Sequence, residues 1–133
     1  MFKTLIIEDS TFFRQLLKEA LHSRFPKMDI SEASNGEEAL QKIRALPPDL
    51  IFMDIKLPGE SGLELTRKIR PQNPYIAVII LTSYDQPEYR EAASACEANY
   101  FLSKGTATRE NILALVESIL SNRQSGQSPP SPL

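Results

Sequence analysis

The sequence predicts an α/β domain built on a parallel sheet, and three observations predict it. Apolar runs of strand length alternate with stretches of helical period, five pairs in all. Each strand candidate is short and apolar, as buried parallel strands tend to be. The 133 residues, with 15 basic and 17 acidic side chains, have ordinary proportions for one domain around one hydrophobic core.

Strands are expected at residues 4–7, 28–33, 50–53, 76–81 and 100–102. Before the second strand, Phe13, Leu16, Leu17, Ala20 and Leu21 recur at the three-and-four spacing that lines one helix face, with Ser10 or Thr11 able to cap its start. Leu40 and Ile43 repeat the pattern in a second helix. Ser61 and Glu64 have capping-box spacing at the head of the third. Pro87 suits the first turn of the fourth, and Thr108 can cap the fifth. Ile112, Val116, Ile119 and Leu120 then form an apolar stripe that should pack on the sheet. Residues 122–133 are rich in Ser, Pro, Gln and Gly and too poor in apolar side chains to offset their ordering entropy. The domain is therefore expected over residues 1–121, followed by a flexible C-terminal tail or linker.

Composition excludes several classes of function. A formal charge of −2 and no basic stripe argue against direct nucleic-acid contact by this chain. The early apolar run at residues 5–7 is too short for a signal-peptide core or a spanning helix, so no membrane role and a cytoplasmic location are expected. Cys96 is the only cysteine, which rules out an internal disulfide or a cysteine zinc cage. His22, near the end of the first helix, reads as a surface residue facing helix carbonyls.

In an open parallel sheet, ligands bind outside the carboxyl ends of the strands. Here those ends are chemically loaded. The first strand leads into Glu8 and Asp9, the third into Asp54, the fourth into Thr82 and Ser83, and the fifth into Lys104. Acids at strand ends commonly cap the next helix, and a single lysine is usually solvated. Clustered carboxylates, however, repel and raise one another's pKa, which a hard cation would relieve.

The motifs resemble those of a known family in order and spacing. They are the acidic pair Glu8-Asp9, the segment Asp49-Leu-Ile-Phe-Met-Asp54 followed by Leu57-Pro58-Gly59-Glu60-Ser61-Gly62, the Leu81-Thr82-Ser83 strand end, and Phe101-Leu102-Ser103-Lys104. Together they resemble the response regulator receiver domain of two-component signalling, with similarity to receivers of the LuxR-like and chemotaxis types. The resemblance implies a flavodoxin-like (βα)5 three-layer sandwich with parallel strand order 2-1-3-4-5, an order for which a member of this family is itself a standard example.

It also implies a mechanism. Asp54 would accept a phosphoryl group from a sensor histidine kinase or phosphotransfer protein. Glu8, Asp9, Asp54 and the Lys56 backbone carbonyl would hold Mg²⁺, Glu8 acting through water. Lys104 and Thr82 would meet the phosphoryl oxygens. Thr82 and Phe101 would carry the signal to the fourth helix, fifth strand and fifth helix, where a downstream protein or effector domain, or a phosphorylation-dependent homodimer, would read it. Lys56 and Tyr84, two residues after Asp54 and Thr82, would tune hydrolysis by limiting water access. The chain would be no enzyme beyond catalysing its own phosphorylation and dephosphorylation.

Departures from the family pattern give further expectations. Lys104 precedes Gly105 where many relatives have proline, so a trans peptide is expected. Asn99 stands at a common glycine position and is expected to tolerate positive φ. Phe101 replaces a common tyrosine and is expected to point inward even without phosphate. The ending Phe101-Leu-Ser-Lys104-Gly105 resembles receivers joined to helix-turn-helix domains, and the tail fits either a stand-alone receiver or a linker to an effector.

Rival readings fare less well. An aspartyl-phosphate hydrolase needs a general acid two residues after the nucleophile, where this chain has Lys56. A nucleotide binder needs a glycine-rich loop after the first strand, where Asp9-Ser10-Thr11 stands. The remaining alternative is a receiver-like interaction module regulated without phosphorylation.

Overall fold

In the computed structural model, which describes residues 1–124, strand and helix alternate throughout. The order is β1 (Lys3–Ile7), α1 (Thr11–Arg24), β2 (Asp29–Ala33), α2 (Gly36–Ala45), β3 (Leu50–Met53), α3 (Gly62–Ile69), β4 (Ala77–Thr82), α4 (Pro87–Ala95), β5 (Tyr100–Ser103) and α5 (Arg109–Gln124). All neighbouring strands pair in parallel, in the order β2-β1-β3-β4-β5. This is the flavodoxin-like arrangement, and it places the β1 and β3 ends side by side at the switch point.

Alternation along the strands splits the core in two. Leu5, Ile7, Ile51, Met53, Val78 and Ile80 face the layer of α2, α3 and α4. Ile6, Leu50, Phe52, Ala77, Ile79 and Leu81 face α1 and α5. β3 and β4 are buried along their whole length, which accounts for their unbroken apolar sequences.

The strands lie within a residue of expectation at either end. Ser10 caps α1 by accepting the Phe13 N–H at 3.2 Å, and Pro87 opens α4. Thr108 and Asn111 cap α5 reciprocally, each side chain accepting the other's backbone N–H. Three local expectations need correction. Leu16 lies 51% exposed, because α1 turns only Leu17, Ala20 and Leu21 fully inward. Ser61 accepts from Leu63 N–H, while the Glu64 carboxylate pairs with Arg67 on the exposed face, so α3 begins without the anticipated box. α5 continues past Ser121 to Gln124, its end tied down by the Arg123 guanidinium donating to the Asp49 and Tyr75 carbonyls. The rest of the expected tail, residues 125–133, lies outside the described residues.

At the opposite edge of the sheet from the strand ends, the left-handed residue is Glu97, at φ 67°, and not Asn99. Glu97 occupies the position after the α4 cap where glycine is usual: its N–H meets Ser94 O and the next N–H, of Ala98, reaches Ala93 O. Asn99 is used as a buried side chain instead. Its Oδ1 accepts from Val78 N at 2.7 Å and from Arg70 Nη2 at 3.0 Å.

Candidate functional site

Three of the five strands, β1, β3 and β5, deliver a charged residue by simply ending. Asp54 N–H extends the ladder to Ile7 O at 3.1 Å, and Glu8 N–H reaches Ala33 O at 3.0 Å. The side chains that follow the apolar runs therefore emerge at one edge. One oxygen each from Glu8, Asp9 and Asp54 lies within 4.8 Å of the others. Glu8 and Asp54 are buried and Asp9 is exposed.

Lys104 closes the group. Its N–H pairs with Thr82 O at 2.8 Å, and its ammonium donates to Glu8 Oε1 at 2.5 Å and Asp54 Oδ2 at 3.1 Å. Asp54 Oδ1 accepts from Ile55 N at 2.7 Å and Glu8 Oε2 from Ser10 N at 3.0 Å. Arg14 steadies the same strand end, donating to Glu8 O at 2.6 Å while pairing with Glu32.

Burial pushes the Glu8 carboxyl above its ordinary range and the Asp54 charge adds to this, against the Lys104 and Ser10 hydrogen bonds. Burial would also lower the Lys104 ammonium, but the hydrogen bond to Glu8 and the charge of Asp54 outweigh it and hold the pKa above normal. Three carboxylates thus cluster where one ammonium pairs with two of them, leaving an excess of negative oxygen donors of the kind a hard cation accepts.

The remaining expected residues make contacts of their own. Thr82 is fully buried at the end of β4, its Oγ1 accepting the Tyr84 N–H at 3.2 Å. Tyr84 packs edge to face on Tyr89, with centroids 5.6 Å apart, and the Lys56 ammonium sits 5.4 Å from the Tyr84 ring centroid. Lys56 also bridges to Ser61 through the backbone. Phe101 lies in the core beneath, 8% exposed, with the Arg90 guanidinium 4.6 Å from its centroid. The described residues contain no cis peptide, so Lys104–Gly105 is trans as expected.

Sequence reading passed over three contributors. Gly62 opens α3 against the acid-bearing strand: a Cβ there would stand 1.9 Å from the Asp54 carbonyl oxygen. The signal was present in the second glycine of Gly59-Glu60-Ser61-Gly62. Arg14 and Phe13 read as ordinary α1 residues, and only their distance to Glu8 and Lys104 shows otherwise.

Fold and site together define a doubly wound α/β protein with three carboxylates and an ammonium gathered at its topological switch point. The chain belongs to the response regulator receiver domain family, which it matches over residues 4–117, and is a receiver of two-component signalling. It is 40% identical over 98 residues to protein-glutamate methylesterase/protein-glutamine glutaminase 1 of Syntrophus aciditrophicus, covering 74% of this chain and 28% of that protein. With the response regulator GacA of Pseudomonas syringae it shares 31% identity over 115 residues, 86% of this chain and 54% of the relative. It therefore spans between about a quarter and about half of these curated relatives. A CheY-like receiver domain protein from Methanospirillum hungatei superposes with a TM-score of 0.85 at 25% identity, covering 95% of this chain and 98% of that one. None of the described helices is long and apolar enough to cross a membrane.

Proposed function

We propose that this chain takes a phosphoryl group onto Asp54 from a phosphohistidine of a sensor kinase or phosphotransfer protein, and signals through its α4-β5-α5 surface. The observation that carries the proposal is the Lys104 ammonium bound to both Glu8 and Asp54 at the edge where Asp9 also lies. One Asp54 carboxylate oxygen attacks phosphorus. The new P–O bond forms as the P–N bond to the donor imidazole breaks, and the departing electron pair stays on that nitrogen. Lys104 follows the charge by turning an N–H from a carboxylate oxygen to a phosphoryl oxygen. Thr82 has a hydroxyl hydrogen to offer from the end of β4, its oxygen already accepting from Tyr84.

The three carboxylates fit Mg²⁺, which prefers few protein oxygens and supplies charge neutralisation when bound, and the Lys56 carbonyl would be a further ligand. If Thr82 moves toward the phosphoryl group, its bond to Tyr84 N–H must change, and the Phe101–Arg90 contact on the output face lies in the same packed layer as Tyr84. That layer is the element biased by phosphorylation. Readers of the surface would be a downstream protein, an effector domain or a second copy of the chain.

Incubation with acetyl phosphate and Mg²⁺ followed by intact-mass measurement is expected to show addition of one phosphoryl group, abolished by Asp54→Asn. No mass gain in the wild type would favour an interaction module regulated in another way.

A further inference from the structure

Phe13 has no part in the phosphoacceptor chemistry above, yet its ring covers a face of the Lys104 ammonium. Lys104 Nζ lies 4.1 Å from the Phe13 ring centroid while it donates to Glu8 Oε1 and Asp54 Oδ2. The ring is itself held at the head of α1. Ser10 Oγ accepts the Phe13 N–H at 3.2 Å, and the Ser10 N–H donates to Glu8 Oε2 at 3.0 Å. Glu8, Ser10, Phe13 and Lys104 therefore form a closed circuit in which the ring and one carboxylate fix the ammonium from two sides.

An aromatic face carries negative potential and attracts an ammonium within about 6 Å of its centroid. Lysine ends a flexible four-carbon stem, so an ammonium without such a partner must be ordered at each encounter. The attraction to a ring face also differs from a hydrogen bond in a useful way: it does not depend on which oxygen the N–H groups point at. Lys104 can exchange a carboxylate oxygen for a phosphoryl oxygen without leaving the ring.

We propose that Phe13 is a positioning residue for Lys104, its ring face holding the ammonium beside Asp54 before and during arrival of the phosphoryl group. The inference rests on Asp54 being the phosphoacceptor. Leucine at this position would keep the apolar packing of Phe13 against the core layer between α1, α5 and the sheet but lose the ring's electrostatic face; tyrosine would keep both.

The test compares wild type, Phe13→Leu and Phe13→Tyr, each checked for native circular dichroism. Two quantities are read: the Mg²⁺-dependent phosphorylation rate with acetyl phosphate, and the NMR shift of the Lys104 Hε protons in the free protein. Phe13→Leu is expected to lower the maximal rate roughly three- to tenfold, the size of a partly desolvated cation–π contact. Half-saturation by Mg²⁺ should stay unchanged. Its Lys104 Hε signals should lose their upfield ring-current shift. Phe13→Tyr should restore the rate to within about twofold and retain that shift. Equal rates in wild type and Phe13→Leu, or a Phe13→Tyr variant as slow as Phe13→Leu, would overturn the role of the ring alone. A wild type that takes up no phosphoryl group overturns the phosphoacceptor reading and this role with it, even with the ring-current shift in place.

Discussion

Lys104 and Glu8 stand 96 positions apart in the chain, yet the ammonium donates to the carboxylate at 2.5 Å. The pairing is incomplete compensation, since burial and the Asp54 charge still hold the Glu8 carboxyl above its ordinary range. A raised carboxyl binds its proton more tightly when folded than when unfolded. Its contribution to stability is thus present below pH 4.5 and lost as pH rises through the raised value. Glu8→Gln removes this titration, so the variant should gain stability relative to wild type as pH increases from 4.5 to neutrality. Urea unfolding in EDTA at several pH values measures this, and a constant difference would count against the buried, strained charge. Lys104, whose pKa is also raised, adds its own loss only above 10.5.

Gly62 should tolerate no side chain. The Asp54 carbonyl oxygen occupies the place of a Cβ at 1.9 Å, and backbone cannot yield as a flexible side chain can. Gly62→Ala is expected to cost about 2–3 kcal/mol and to slow acetyl phosphate uptake by displacing Asp54. Chemical denaturation and the mass assay read the two effects. By contrast, the clash at Gly36 is with the end of the Glu60 side chain, so Gly36→Ala should be milder.

Arg70 organises the far edge of the sheet. Its guanidinium donates to Ile76 O at 2.7 Å, to Glu97 O at 2.8 Å and to Asn99 Oδ1 at 3.0 Å. Arg70→Met should cost about 3 kcal/mol by taking the guanidinium's N–H donors away from the Ile76 and Glu97 carbonyls and from Asn99 Oδ1, and Arg70→Lys should restore little because one ammonium cannot reproduce the planar fork. Glu97→Gly should move the other way, stabilising by about 0.5–1 kcal/mol as left-handed strain is relieved against added unfolded-state entropy. Denaturation midpoints of the three variants test both directions.

Tyr84 is braced by Tyr89 and capped by the Lys56 ammonium, which gives the loop beside Thr82 a fixed aromatic wall. If that wall limits water at the acyl phosphate, Tyr84→Ala should shorten the phosphoryl lifetime about threefold or more without changing Asp54 as the site. Loss of label after removal of the donor measures it. An unaltered lifetime would remove Tyr84 from any role in hydrolysis.

Much of this protein could be read from sequence because the relevant signals are local. Unbroken apolar runs mark strands buried on both faces, as in β3 and β4, and an acid or lysine directly after such a run must emerge at the sheet's carboxyl edge. That reasoning reached Glu8, Asp9, Asp54 and Lys104, which the structure gathers, and Thr82 at the same edge. Periodicity could not say how α1 is rolled, so Leu16 turned outward and Phe13 toward Lys104. Nor could residue preference say which position bears the left-handed turn. Glu97 takes it because the last turn of α4 ends there, freeing Asn99 to satisfy Arg70 and the β4 backbone. These outcomes depend on which helix lies against which strand end. Such contacts join residues tens of positions apart, and only packing of the whole chain decides them.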